Sequence, residues 1–382
     1  MNSPAFAVID GAAIEHNLQR IKSAAPDCRV LAVVKANGYG HGLEYVAGRL
    51  KGADAFGVAR VAEGLSLRRL VPDKPIVVLE GCADAEGAQL AARHCLDLVV
   101  HDPSHFGLLE ALDSNADVRV WLKLDTGMGR LGFPPGRLGA CLRRLRKIPG
   151  VRDGIVLMTH LACADDADDP LTMEQLRRFG EAAGRYEGDV SIANSAGTLL
   201  WPQTLEPSLH IDYAGDNWIR PGLALYGASP VRDKSARELG LRPAMSFRST
   251  LIAVKTVKRG TTVGYGATWR ATRETVIGVV AVGYGDGYPR QLPAGTPVLV
   301  NERRVALIGR ISMDMISVDL TDVPVATVGD PVTLWGGHLP VEEIAARAGT
   351  LPYELMCRLS ERVEHRYTDA AAEQPRPSST GV

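Results

Sequence analysis

The first ~230 residues alternate short apolar runs with longer amphipathic stretches, and this repeat narrows the fold more than anything else in the chain. The runs are Val30–Val34, Ala55–Ala59, Ile76–Leu79, Leu96–Val100, Val118–Leu124, Ile155–Met158, Val190–Ala193 and Ile219–Tyr226. Short runs rich in β-branched residues and punctuated by glycine read as strands covered on both faces, the habit of parallel sheets. Helix-like segments lie between them: Leu43, Val46, Ala47 and Leu50 fall at i, i+3, i+4, i+7, and Pro135–Lys147 and Met173–Tyr186 are further examples. Repeated strand–helix units require parallel pairing through right-handed crossovers, and eight of them predict an α/β fold of the (β/α)8 barrel type. The seventh helix, Gly197 to Trp201, is short and stopped by Pro202; the unpatterned Leu205 to Asp216 reads as a surface loop.

From about Met245 the pattern changes. Thr250–Lys255, Val276–Val282, Pro297–Val300, Ser317–Leu320 and Pro331–Leu334 are short and β-rich, separated by glycine, proline and Asn/Asp turn signals, which predicts a mostly antiparallel β domain. The expected division is a barrel over 1–240, its first ten or so residues packing on the β domain, a β-rich C-terminal domain over 241–368, and a disordered tail over 369–382.

Composition excludes several classes. With 43 basic and 44 acidic residues among 382, no global field draws nucleic acid or anionic membrane. Met1 to Asp10 lacks a basic cluster followed by an apolar run, and no apolar stretch approaches the ~20 residues that span a bilayer. Six scattered cysteines, with no C-x-x-C pair, argue against a disulfide framework or structural zinc and fit a reducing cytosol.

Barrels place chemistry at the C-terminal ends of their strands. Strand one ends at Lys35, with Tyr39 in a glycine-rich loop. A lysine desolvated there can act as a Schiff-base amine. Strand five ends in Lys123-Leu124-Asp125 and runs on to Arg130, strand six in Thr159-His160, strand seven in Asn194-Ser195, and strand eight carries Arg220-Pro221-Gly222-Leu223. Ser195 offers a hydroxyl, and Gly222 lets backbone amides approach an anion. A lysine nucleophile facing a phosphate cradle suggests pyridoxal 5'-phosphate.

The chain also resembles the alanine racemase family. The resemblance rests on AVVKANGYGHG, AFGVARVAEGL, WLKLDTGMGRLGF, MTHLACAD, ANSAG, WIRPGLALYG, VGYGAT, VGYGDGYPR, GRISMDM and LPYELMC, in that order. It implies that Lys35 carries the cofactor and is one of two proton-transfer bases, the other being Tyr265 from the partner subunit of a homodimer. It further implies that Tyr39, Ser195, Gly222, Leu223 and Tyr353 hold the phosphate, with Leu79 and Asn194 also at the cofactor. Arg220 would face the pyridine nitrogen, with His160 linking it towards Tyr265. Arg130 would contact the cofactor and the substrate carboxylate, oriented by Lys123 as a carbamate. Met313, through its backbone amide, and Tyr284 would come from the partner, with Asp314 in support. Gly38 stands where many relatives have alanine, Leu205 to Asp216 looks longer than usual, and RVEHRY replaces a proline-containing ending.

The chemistry is consistent with these roles. Racemisation removes an α-proton from one face and returns one to the other, so it needs two bases. A permanent cation against the pyridine nitrogen opposes pyridinium, weakens the electron sink and limits side reactions.

Taken alone, several positions read more plainly. Lys123 reads first as a lysine paired with Asp125, and His160 as a core histidine. Tyr265 and Tyr284 read as hairpin tyrosines. Asp165, Asp166, Asp168 and Asp169 lack metal-ligand spacing and read as a solvated loop, so no metal is expected. The resemblance implies a cytoplasmic isomerase interconverting L- and D-alanine, supplying peptidoglycan synthesis or, in reverse, alanine breakdown. The rivals are a racemase with serine or broader preference, a decarboxylase of the same fold and a non-enzymatic cofactor carrier. Arg220 speaks against the decarboxylase, and the β domain against the carrier.

Overall fold

The computed structural model describes residues 4–184, 186–205, 215–323 and 325–369. Most of the Leu205–Asp216 stretch and all but the first residue of the 369–382 tail lie outside the described residues. The chain forms two compact units, one from Glu15 to Leu241, the other from the N-terminal segment through Ile14 together with the chain from Arg242 onward.

Strand β1 (Phe6–Asp10) belongs to the second unit. The first unit is built on β2 (Arg29–Val33), β3 (Ala55–Val58), β4 (Ile76–Val78), β5 (Leu96–Val100), β6 (Val120–Lys123), β7 (Val156–Met158), β8 (Val190–Ser191) and β9 (Trp218–Ile219). These pair in parallel in the order β8-β7-β6-β5-β4-β3-β2-β9. Parallel bridges Val190–Asn217 and Asn194–Arg220 close the ring, which is the expected barrel. Nearly every strand residue is buried, since helices cover the outside and side chains fill the inside. Trp121 and Trp218 meet edge to face there, their rings 5.6 Å apart.

The eighth run shrinks to two residues of strand, because Pro221 has no N–H for a ladder and Leu223–Tyr226 tightens into a 3-10 turn. The seventh helix, Ser195–Leu200, is short as its sequence suggests. After β2 the backbone does something local sequence does not announce. Ala36, Asn37, Gly38, Tyr39 and Gly40 all have positive φ, from 52° to 78°, a left-handed turn directly after Lys35. Each non-glycine residue in that region costs roughly 1–2 kcal/mol, so the surroundings must impose the turn. At Gly38 an added Cβ would stand 2.9 Å from Val46 Cγ2, so glycine here lets the turn sit directly on helix Leu43–Arg49.

The second unit continues with β10 (Met245–Val257), the β11–β12 hairpin (Thr262–Val263, Trp269–Arg270), β13 (Thr275–Val280), β14 (Pro297–Val300), β15 (Arg303–Ile308), β16 (Ile316–Asp319), β17 (Pro331–Trp335) and β18 (Glu364–Thr368). Its main sheet runs β13-β16-β15-β14-β17-β10 and closes because β10 also pairs with β13. Irregular registers at Phe247/Arg248 and Leu251/Ala253 bend β10, so its first half serves β17 and its second half β13. β1 extends the sheet antiparallel to β10, and β18 pairs with β1 in parallel. Two helices, Val341–Ala348 and Pro352–Cys357, complete the unit.

One barrel residue is stabilised poorly. Asp97, in β5, is buried and receives a hydrogen bond from Trp121 Nε1 at 3.1 Å. Burial, only partly offset by that bond and by nearby arginines, raises its pKa from 3.8 to about 6. The unfolded chain therefore loses this proton first, and stability falls as pH rises from about 4 to about 6 and stays lower above. Asp97→Asn keeps an oxygen for Trp121 and removes the charge. Thermal melting should show it stabilised at pH 8, by about 3 kcal/mol at most, and little changed at pH 4. A destabilised variant at pH 8 would contradict this account.

Candidate active site

The barrel gathers its functional side chains at the C-terminal ends of its strands. Tyr226 Oη donates to the Val33 carbonyl at 3.0 Å, and its ring stacks on Tyr39 with centroids 4.7 Å apart. Tyr39 is thereby held against Gly222, where an added Cβ would stand 2.5 Å from the Tyr39 hydroxyl. On the other side, Ser195 Oγ accepts from Gly222 N at 2.9 Å and Ala224 N at 3.3 Å. An oxygen that accepts twice keeps its own proton to donate. Asn194 caps helix Ser195–Leu200 by accepting from Gly197 N at 2.8 Å, which fixes Ser195 as the first helical residue. Tyr39, Ser195 and Gly222 thus form a small cluster with two hydroxyls, a cradle of a kind suited to a tetrahedral anion such as a phosphate ester, and Leu223 follows Gly222, buried. A side chain at Gly222 would fill the cradle.

Arg220 lies beside the cradle, buried. Its Nη1 donates to Ser191 Oγ at 2.6 Å, and Nη2 lies 2.6 Å from the Thr159 carbonyl, 3.2 Å from the Ile192 carbonyl and 3.1 Å from His160 Nδ1. None of these acceptors is an acid. Burial lowers the Arg220 pKa to about 10, so the group stays charged at neutral pH. Because the guanidinium can only donate, His160 must present a lone pair at Nδ1. Burial first, then the charges of Arg220, Lys123, Arg130 and Lys35, hold its pKa well below the ordinary value, so it is neutral.

Lys123, the last residue of β6, is buried, and its pKa falls to about 8 through burial and then the charges of Arg220 and Arg130, with Asp125 opposing. Asp125 spends Oδ1 on the amides of Gly127 and Gly129, at 3.0 and 3.1 Å, shaping the loop that leads to exposed Arg130. Lys35 itself is half-buried. The barrel mouth is therefore cationic and favours phosphate and carboxylate ligands. Leu79 follows β4 half-buried, its amide donating to the Val58 carbonyl at 2.8 Å.

Gln175 was not among the residues that sequence pointed to. Buried on helix Leu171–Ala183, it accepts from Ala162 N at 2.8 Å and donates to the His160 carbonyl at 3.0 Å and Thr126 Oγ1 at 3.3 Å. It ties the loops after β6 and β7 together and so sets where His160 stands. Its one sequence signal is an amide on the stripe that also carries Leu176 and Phe179, where an apolar residue would be expected.

The β-rich unit holds the other predicted residues. Tyr265 opens a 3-10 turn, Tyr265–Ala267, at the tip of the β11–β12 hairpin and is 69% exposed. Tyr284 and Met313 lie on adjoining loops, joined by Tyr284 N to the Ser312 carbonyl at 3.1 Å and Gly285 N to the Met313 carbonyl at 2.8 Å. Gly283 is obligatory there, since an added Cβ would fall 2.2 Å from the Met313 carbonyl oxygen. Asp314 accepts from Arg362 Nη2 at 2.8 Å, and Arg362 Nε also lies 3.4 Å from Asp286 Oδ1, bracing both loops. Tyr284 and Met313 are 40% and 51% exposed, large apolar surfaces left uncovered within this unit. Tyr353 is exposed on helix Pro352–Cys357, which belongs to the second compact unit.

The acidic loop is a charged surface segment: Asp165 and Asp166 face Arg232 at 4.0 and 2.5 Å, and Asp169 accepts from Leu171 N at 2.8 Å. Among the described residues no group of three His, Cys, Asp or Glu side chains could hold a metal ion, and no helix is long and apolar enough to cross a membrane.

Comparison with known proteins adds a family to this geometry. Residues 9–230 match the family described as "Alanine racemase, N-terminal domain", and residues 244–367 match "Alanine racemase, C-terminal domain". The alanine racemase of Vibrio parahaemolyticus is 47% identical over 365 residues, covering 95% of this chain and 99% of that one. That of Nitrosococcus oceani is 49% identical over 364 residues, with the same coverage. The biosynthetic alanine racemase of Pseudomonas aeruginosa superposes with a TM-score of 0.90 at 47% identity, over 96% of this chain and all of that one. The alanine racemase of Bartonella henselae, with covalently bound pyridoxal phosphate, superposes with a TM-score of 0.83 at 28% identity, over 95% of this chain and 99% of that one.

Gly222→Ala tests the cradle directly. The new methyl would collide with the Tyr39 hydroxyl, so fluorescence titration should show pyridoxal phosphate bound at least tenfold more weakly. The chain should still fold, since the clash falls on the end of the Tyr39 side chain rather than on backbone; a circular dichroism spectrum matching wild type would show it. Unchanged affinity would mean that the anion sits elsewhere.

Proposed function

The chain belongs to the alanine racemase family of isomerases, and from that premise we propose that it interconverts L- and D-alanine with pyridoxal 5'-phosphate held on Lys35. Arg220 supports this above all. It is a permanent, buried cation braced by neutral acceptors, and by resemblance to the family it would face the cofactor's pyridine nitrogen. Protonation of that nitrogen is opposed by like charge, and this suits proton exchange at one carbon rather than chemistry that needs a deep electron sink.

When bound, pyridoxal phosphate would acidify the substrate α-carbon, so that side-chain bases can remove its proton near neutral pH. Lys35 would serve one face of the substrate and Tyr265 the other. Tyr39, Ser195, Gly222, Leu223 and Tyr353 would hold the phosphate, with Leu79 and Asn194 also at the cofactor. Arg130 would bind the substrate carboxylate. Lys123 would carry a carbamate that orients Arg130; its low pKa supports this, because only an uncharged amine adds carbon dioxide. Tyr265, Tyr284 and Met313 are exposed as residues completing a second subunit's site would be, which supports a homodimer with shared sites. We place the enzyme in the cytoplasm, supplying D-alanine for peptidoglycan or, in reverse, drawing it into breakdown.

Purified protein given L-alanine should form D-alanine, and borohydride followed by peptide mapping should label Lys35. Label on Lys123 or Lys255 would overturn the assignment, and D-serine formed in preference to D-alanine would redirect it to a racemase of different specificity.

Sharing of sites has its own test. A general base contributes ~100- to 10,000-fold in rate, so Lys35→Ala and Tyr265→Phe should each be nearly inactive. Mixed and allowed to exchange subunits, they should recover towards about a quarter of wild-type activity. Half the dimers are then mixed, and two-fold symmetry gives each of those one site with neither defect. No recovery despite demonstrated exchange would place both bases in one chain.

A further inference from the structure

Glu63 is the third residue of helix Val61–Arg68, and a glutamate there ordinarily reaches back to amides at the helix start. One oxygen does so: Oε2 accepts from Ala59 N at 2.8 Å and Arg60 N at 3.2 Å. The other oxygen leaves the helix. Oε1 accepts at 2.7 Å from the amide of Ala36, the residue after Lys35 and the first of the left-handed turn. One carboxylate therefore ties the end of β3 to the peptide that joins Lys35 to Ala36.

The orientation of that peptide plane is the ψ angle of Lys35, because the peptide itself is rigid. A hydrogen bond that fixes the Ala36 N–H thus fixes the direction in which the Lys35 side chain leaves the backbone. The turn needs such a constraint. Three non-glycine residues, Ala36, Asn37 and Tyr39, sit in the strained left-handed region, and the first amide of a helical turn has no partner within the turn. Gly38 N to the Val34 carbonyl at 2.9 Å and Leu43 N to Asn37 Oδ1 at 2.9 Å hold the rest. Among the described residues, Glu63 is what reaches the Ala36 amide from another strand end. Ala36 is exposed, so water can replace the lost bond. The contribution of Glu63 is then to geometry more than to stability.

We infer that Glu63 is a positioning residue that aims Lys35 at its reacting partner. This rests on the reading of Lys35 as the cofactor-bearing base. Displacing a reacting group by about 1 Å costs up to ~100-fold, far more than a cap costs the fold.

The test compares full-length wild type, Glu63→Gln and Glu63→Ala, each loaded with pyridoxal phosphate. Glutamine keeps an oxygen for the helix cap but turns an NH2 towards the Ala36 amide, so it removes the outward arm while preserving bulk. Both variants should lose tenfold or more in kcat with KM for alanine within about threefold. Both should also take borohydride label on Lys35 more slowly and show a displaced pH midpoint in the bound cofactor's absorbance titration. Glu63→Gln should melt within a few degrees of wild type. Wild-type kcat, labelling rate and titration in both variants would overturn the inference. So would losses that merely track the unfolded fraction. If wild type itself takes no label on Lys35, the reading of Lys35 falls, and the role of Glu63 with it.

Discussion

The barrel's closure and the chemistry of its mouth both depend on one buried cation. Moving a guanidinium out of water costs several kcal/mol unless its donors are met. Arg220 meets that cost with Ser191 and Ile192 on one neighbouring segment and Thr159 and His160 on the next. Those acceptors sit where β8 and β9 are two residues long each, and where the backbone ladder is thinnest. The side chain thus does for the barrel seam what longer strands do elsewhere in the ring. In return, the seam holds the charge where, among the described residues, no carboxylate pairs with it. The neutral state of His160 and the depressed pKa of Lys123 come from their own burial first and from the Arg220 charge next.

Much of this was legible in the sequence because burial on both faces leaves a continuous apolar run, a pattern that survives without tertiary context. All eight barrel strands announce themselves so, and Pro221-Gly222 even explains why the last run yields so little strand. Five of the C-terminal strands were legible from turn chemistry and β11, β12, β15 and β18 were not, while β10 runs beyond its expected segment because two partners share it through irregular registers. β1 is a harder case: a five-residue strand whose partners lie at Met245–Arg248 and Glu364–Thr368 has no local signal of which sheet it joins.

The turn after Lys35 shows where local reading ends. Gly38, Gly40 and Gly42 mark a bend, yet Ala36, Asn37 and Tyr39 adopt a conformation their own preferences oppose. Tyr39 is drawn there by the stack on Tyr226 and the space over Gly222, contacts made by residues nearly 190 positions away. Gln175 and Glu63 escaped notice for a similar reason. Each looks like an ordinary helix residue until the loop it clasps is in place.

The cationic mouth also bears on how the proposed site balances its charge. Arg220, Arg130 and Lys35 surround Lys123 with positive charge, Asp125 opposes them, and burial lowers the Lys123 pKa towards neutrality. At a pKa of about 8, roughly one Lys123 in ten is uncharged at pH 7. That uncharged amine, adding carbon dioxide and releasing a proton to solvent, would take the position from 0 to −1 and face the same arginines attractively. The field that strips the proton is therefore the field that would hold the product, and burial, which penalises the lone ammonium, strengthens the new pairing. On the proposed reading, burial and the neighbouring charges make Lys123 easy to neutralise, and Arg130, one of those charges, is the residue its carbamate would then orient.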